Sequence, residues 1–431
     1  MDSSTKAVLP WVTLLVSLCC GCLGACARRA CRRRARAGGG RQLQRRGRLG
    51  PCPPACTRRP TTKATSARAA TVLLVQALLL VDAGLSAPSP GASDNASGVP
   101  PEVMAALARA NEGFQRSYGA DDIMARVTAR IRTLFDAPEA AVHLVATGTA
   151  ANALALATLT PPWGAIFCHR HAHIAEDECG APEFFAGGAK LALIDGPHGK
   201  ITPAALTEAL ATTGASGVHG VQRGALSLTN VTEAGTTYTP AEIAALTAIA
   251  KTHNLPCHLD GARFANALVA TGATPAEMTW KAGIDALSFG GTKNGLLGVE
   301  AVILFDPAKS WELELRRKRG GHLFSKHRFL SAQVDAYLTD DLWLRLATHA
   351  NAMGQRLSQG IAAMNSAALT HPTHANMVFA NWEPGGHARL QGGGAIYYDL
   401  RPKEGRETAR MVASWNTTDD HVDRFLALLK G

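Results

Sequence analysis

The chain has 431 residues, 46% of them hydrophobic, and a mean hydropathy near zero, which suits a soluble globular protein of two or more domains. Its net charge of +10 comes from residues 1–91, which hold 15 Lys and Arg against Asp2 and Asp82, while the rest of the chain holds 29 basic and 32 acidic residues. The body is therefore mildly acidic, which excludes nucleic-acid binding for it, and its three scattered cysteines (Cys168, Cys179, Cys257) exclude a disulfide framework and suit a reducing compartment.

The N-terminal segment reads as added material. Residues 8–27, VLPWVTLLVSLCCGCLGACA, form an apolar run of about membrane-spanning length, followed by RRACRRRAR as a signal anchor would be. A second, shorter run at 71–87 is interrupted by Asp82, and the Arg/Gly/Pro-rich sequence between the two has no periodicity and reads as disorder. The C-x3-C pairs Cys22/Cys26 and Cys52/Cys56 have no histidine among them, so zinc is not expected there. Three readings stand: a targeting or anchor segment, a disordered tail, or translated sequence ahead of the true start. The last two are favoured together, because residues 1–91 do not resemble the rest of the chain. The expected localisation is a cytoplasmic body, with membrane anchoring or targeting left open by 8–27.

From residue 92 the pattern alternates. A helix begins near Pro101, with Glu102 in its first turn. A strand at 141–147 leads into the helix GTAANALALATL. Strands follow at 165–168 and 190–195, then a helix over TPAALTEALA and a strand at 224–230. The helix after it takes Thr239 as N-cap and Pro240 at its first position. Strands at 256–260, 286–292 and 299–305 complete the series, with a short helix from Gly261. Short continuous apolar strands separated by helices predict a large, mostly parallel α/β sheet domain over 92–335. Strands at 377–382, 395–399 and 409–415 before a terminal helix predict a small C-terminal α+β domain, with its connecting helix, over 336–431.

Such sheets bind ligands at the carboxyl ends of their strands. There the sequence places Gly148 and Thr149 opening a helix, then His169, His171 and His173, then Asp260 and Arg263, then Lys293. Each has a plain alternative: a turn, a helix cap, a solvated loop lysine. ATGTAAN lacks the third glycine of a dinucleotide fingerprint. The histidines have no acids at metal spacing, so no metal is expected. Lys293 is different, because buried strands flank it and small residues precede it. A lysine held there is partly desolvated and nucleophilic. An amine able to form a Schiff base, a carboxylate on a neighbouring strand end, a helix start and an imidazole are together what pyridoxal phosphate (PLP) requires.

HLDGARFANAL (258–268) together with SFGGTKNG (288–295) resembles the threonine aldolase family of fold-type-I PLP enzymes, nearest its low-specificity bacterial branch among the β-eliminating lyases. The likeness extends over SDNASGVPPEV, SYGADD, ATGTAANALAL, HAHIAEDECGAPEFFAGGAKL, LSLTNVTEAGTTYTPAEI and ARMVASWNTTDDHVDRFL, covering about 92–431. The resemblance implies a PLP-dependent transferase-like fold, with Lys293 bearing the cofactor and Asp260 facing its ring nitrogen. Gly148, Thr149 and Thr292 would face the phosphate, and His173 would stack on the ring. Arg263, beside the cofactor, and Arg410 would hold the substrate carboxylate with help from Ser93. Tyr118 would reach a site across a subunit interface, in a homodimer or homotetramer. Some family members carry a second histidine where this chain reads VTEAG, so the base that takes the β-hydroxyl proton is sought in His173, Thr232 or a water. The implied reaction is retro-aldol cleavage of β-hydroxy-α-amino acids, L-threonine to glycine and acetaldehyde. Its rivals are β-elimination, racemisation or hydroxymethyl transfer on the same scaffold, a nicotinamide-dependent dehydrogenase using ATGTAAN, and a membrane-tethered binding protein without catalysis.

Overall fold

The structure, a computed structural model, describes residues 89–431. The apolar runs at 8–27 and 71–87 and both C-x3-C pairs lie outside the described residues. Among the described residues no helix is long and apolar enough to cross a membrane. This corrects the expected localisation: the anchoring it left open finds no support in any described helix.

Seven strands form the main sheet: β1 (Ala141–Val145), β2 (Gly164–His169), β3 (Lys190–Ile194), β4 (Gln222–Thr229), β5 (Cys257–Gly261), β6 (Ala286–Phe289) and β7 (Glu300–Leu304). Their order across the sheet is β1-β7-β6-β5-β4-β2-β3. Six run one way, and β7 runs antiparallel to both of its neighbours, β1 and β6. The sheet is mostly parallel, as the sequence reading had it, with β7 as the one strand that makes it mixed. β1, β2, β5, β6 and β7 are buried along their whole length, as apolar strands covered on both faces must be.

Helices cover the sheet, and their ends are set by the sequence. Thr147 Oγ1 accepts from Ala150 N–H at 3.2 Å and starts the helix Gly148–Leu159. Thr239 and Glu242 form a capping box at the start of Pro240–Lys251, with Pro240 in the first turn. Under the strand ends lies an aromatic cluster. Phe135, Phe264 and Phe289 have ring centroids 5.7–5.8 Å apart, and Trp343 packs edge-on to Phe289. Phe264 follows Arg263 and Phe289 ends β6, so this packing sets where the chain leaves the sheet beside Asp260 and before Lys293.

A second sheet of four antiparallel strands holds the C-terminal part: β8 (Ala367–Leu369), β9 (Met377–Trp382), β10 (Tyr398–Lys403) and β11 (Arg406–Val412), in the order β10-β11-β9-β8. The expected strand at 395–399 is divided. Ala395–Ile396 pairs in parallel with Ser89–Pro90, and Tyr398 begins β10. The terminal helix Asp419–Lys430 covers this sheet through Val422, Phe425 and Leu429. The 21-residue helix Leu342–Ala362 joins the two cores. Its Leu342, Trp343 and Ala347 pack into the large core, and its Met353, Leu357 and Ile361 into the small one. Both sheets belong to one unit that runs to Gly431.

Candidate active site

Asp260 ends β5 only 2% exposed, and its carboxylate is held from two sides. Ala262 N–H donates to Oδ1 at 3.0 Å, and the Asn152 amide donates to Oδ2 at 3.0 Å. Asn152 lies one turn into the helix Gly148–Leu159, so this bond ties that helix's start to the end of β5. The same amide donates to Glu178 Oε1 at 2.8 Å, and His173 Nδ1 meets that oxygen at 2.8 Å. Ligating atoms of His173, Glu178 and Asp260 all lie within 4.8 Å of one another. Two carboxylates this close repel, and the Asn152 amide between them offsets part of that cost.

The charges of these groups depend on one another. Burial lifts the Glu178 carboxyl above its usual range; His173 opposes the lift and Asp260 adds to it. Burial pulls His173 down, but the Glu178 bond and the Asp260 charge outweigh it, so its imidazole is more basic than usual. Behind Asp260, on the same face of β5, His258 bonds Ser227 Oγ at 3.0 Å and Ser288 Oγ at 2.9 Å. Burial pushes its imidazole down to about 4, so it is neutral.

Lys293 lies on the loop from β6 to β7, half-buried. Its charge acts on His173, Asp94 and Glu300, which places the amine among them. Among the described residues, no hydrogen bond or ion pair takes its Nζ.

The other expected site residues divide. Gly148 and Thr149 open a helix whose third N–H is already capped by Thr147. A Cβ built on Gly148 meets nothing within 4 Å, so the helix start faces open space. Thr292 is turned into its own loop, with Oγ1 accepting from Val299 N–H at 3.2 Å. Arg263 is 4% exposed and holds Asp94 through two bonds, Nε at 2.7 Å and Nη2 at 3.0 Å. Burial would raise the Asp94 carboxyl, but Arg263 and then Lys293 hold it below its usual range. Ser93 caps the short turn Asp94–Ala96, which places it beside that pair. Arg410 lies on β11 over the Tyr398 ring, 4.4 Å from its centroid. It lines a cavity of about 610 Å³ with Glu233, His198, His371 and Phe379, and its buried Nε has no partner. Tyr118 stands apart, 47% exposed with Lys318 Nζ 5.0 Å over its ring.

Two neighbours of His173 and one rival base are committed elsewhere. His169 bonds Gly196 O through Nε2 and accepts from His171 N–H through Nδ1, while His171 pairs with Glu176. Thr232 Oγ1 is bound within its own turn to Thr236 and to His198 O. Asp94, Asn152, Glu178 and Glu300 were missed at the sequence level. Asp94 stood next to Ser93, Glu178 lay five residues past His173, and Glu300 was a lone acid inside the apolar run VEAVILF.

A half-buried amine without a partner, a carboxylate at a strand end with an imidazole close to it, an open helix start and a guanidinium with a spare Nε fit a phosphorylated aromatic aldehyde and an amino-acid carboxylate. The chain belongs to the β-eliminating lyase family, whose model matches residues 92–383. It is 41% identical to the low-specificity L-threonine aldolase of Pseudomonas aeruginosa over 331 residues, covering 77% of this chain and 94% of that one. A second such aldolase, from Pseudomonas sp. strain NCIMB 10558, is 41% identical over 336 residues, covering 78% and 95%. The solved threonine aldolase of Leishmania major superposes with a TM-score of 0.74 at 31% identity, over 79% of this chain and 98% of that one. Serine palmitoyltransferase of Sphingomonas wittichii, at 15% identity with a TM-score of 0.58 over 83% and 95% of the two chains, shares the fold alone. The fold is that of fold-type-I PLP enzymes, a large mixed α/β sheet domain with a smaller C-terminal α+β domain, as the resemblance implied.

Proposed function

We propose that residues 92–335 and 336–431 act together as a threonine aldolase, with Lys293 as the attachment point of its cofactor. The protein is a PLP-dependent lyase that cleaves threonine-type β-hydroxy-α-amino acids. Bound at Lys293, PLP supplies an electron sink that makes the bonds at the substrate's Cα labile. The observation that carries the residue assignments is the free Lys293 amine, whose charge acts on His173 and Asp94, on a loop most of whose other polar groups are hydrogen-bonded.

Each residue then has a role. Asp260, held by Ala262 and Asn152, would keep a proton on the cofactor's ring nitrogen. The N–H groups of Gly148 and Thr149 at the helix start would hold the phosphate. Arg410, with its spare Nε, takes the substrate carboxylate and so orients the Cα–Cβ bond for cleavage. Arg263 secures Asp94 and through it the Ser93 turn. Glu178 holds a proton on His173 Nδ1, which leaves Nε2 to accept the β-hydroxyl proton, since Thr232 is already committed. Tyr118, exposed and touching none of the site residues above, serves the site of a second copy in a homodimer or homotetramer.

The test is direct. Purified protein supplied with PLP should absorb near 420 nm, within roughly 410–430 nm, and borohydride should fix the cofactor to Lys293. L-threonine should yield equal amounts of glycine and acetaldehyde. A colourless protein, or acetaldehyde release undiminished in Lys293→Ala, would sink the reading.

A further inference from the structure

The loop between β6 and β7 uses nearly every polar group to hold its own shape. Gly291 N–H donates to Glu300 Oε2 at 2.7 Å, and Thr292 N–H donates to Oε1 at 3.3 Å. Thr292 Oγ1 accepts from Val299 N–H and also bonds the Glu300 carboxylate. Leu297 and Gly298 N–H donate to Gln333 Oε1 at 2.9 and 3.2 Å. The Asn294 amide donates to the Tyr337 hydroxyl and to Trp343 O, each at 2.8 Å. Lys293 is the exception.

Glu300 is 6% exposed and pairs across the sheet with Val145, just before the Thr147 cap. A carboxylate is a costly choice for this position. A glutamine could accept hydrogen bonds from the same loop without desolvating a charge, which costs on the order of several kcal/mol. What the carboxylate adds is negative charge near Lys293, acting on it without pairing with it.

We propose that Glu300 is a positioning residue for Lys293: it fixes the backbone that presents the amine, and its charge favours the protonated form of the Lys293 nitrogen. The proposal rests on Lys293 being the cofactor's attachment point. Burial pushes the Glu300 carboxyl up to about 7, against the pull of Thr292, the two N–H groups and Lys293. Among the described residues, the ionisable groups that its charge acts on are Lys293 from the loop and Tyr337 from the helix Arg328–Tyr337; burial keeps that phenol neutral. The helix Gly148–Leu159, packed on the sheet beside it, carries no ionisable side chain. The charge therefore acts above about pH 7 and fades below it.

The experiment loads the full chain with PLP and follows the visible band of the lysine-bound cofactor from about pH 6 to pH 10. Removing a negative charge disfavours a nearby cation. In Glu300→Gln the pH at which the band changes should therefore fall by about half a unit to one unit, while spectra well below pH 7 coincide with wild type. Glu300→Ala also strands two buried N–H groups, and by fluorescence titration it should bind PLP about tenfold more weakly or worse. A Glu300→Gln transition within about 0.2 unit of wild type overturns the proposal, whatever Glu300→Ala does. Failure of the wild type to take up PLP at Lys293, read by borohydride fixation and peptide mapping, instead removes the reading underneath.

Discussion

Lys293 and Asp260 were legible because each stands where a strand run ends, and because small residues leave the lysine no polar partner of its own. Lys293→Ala should lower threonine cleavage by about a thousandfold or more and abolish borohydride fixation, since the amine is the cofactor's attachment point. Asp260→Asn leaves a single acceptor oxygen, so one of the two donors, Ala262 N–H on Oδ1 or the Asn152 amide on Oδ2, loses its partner; the protein should still fold, but kcat should fall by about a hundredfold. Glu178 and Asn152 were not legible. Their significance depends on a helix from one segment, a turn from another and a strand from a third meeting around one amide nitrogen, that of Asn152. Glu178→Gln should leave PLP bound while moving the acid limb of kcat to lower pH, because loss of the carboxylate makes His173 less basic; a pH–rate profile reads this. Stability carries its own pH signature. His258 is neutral in the fold at about 4 but has its ordinary value of 6.5 when unfolded. The unfolded chain therefore binds more protons as pH falls from about 6.5 to 4, and folding loses on the order of 1 kcal/mol per unit over that window. Chemical denaturation of wild type and His258→Asn should show the loss in the former and a flatter profile in the latter.

At the scale of elements, helix boundaries matched the caps closely, because a cap is a local signal. Thr239→Ala should cost about 1 kcal/mol in urea unfolding, since it removes the cap of Pro240–Lys251, and should leave kcat unchanged. Strand direction was not legible from apolar runs, which look alike whichever way a strand points. The usable signal was the connection itself. Residues 290–299 are too few, and too rich in glycine, for the crossover helix that a parallel neighbour requires, so β7 had to return antiparallel. The divided strand at 395–399 escaped notice for a different reason: its first half pairs with Ser89–Pro90, some three hundred residues earlier. The helix Leu342–Ala362 presents one apolar stripe along its length, which does not disclose that its two halves enter different cores.

At the scale of the whole molecule, the division of charge at residue 91 separated a basic segment from a body matched over nearly the full length of its relatives. A protein beginning at Leu85 should bind PLP and cleave threonine at a rate within about twofold of the full chain, and steady-state kinetics on both would check it. The loop that bears Lys293 has a consequence at this scale too. Exposed loops usually give up their amide hydrogens to solvent in seconds, but Gly291 and Thr292 donate theirs to a buried carboxylate at the start of β7, a strand paired on both sides. In deuterated water those two amides should retain protium as long as the strands on either side. The most reactive stretch of the chain would then also be among its slowest to open, and the lysine's mobility would be confined to its own four methylenes.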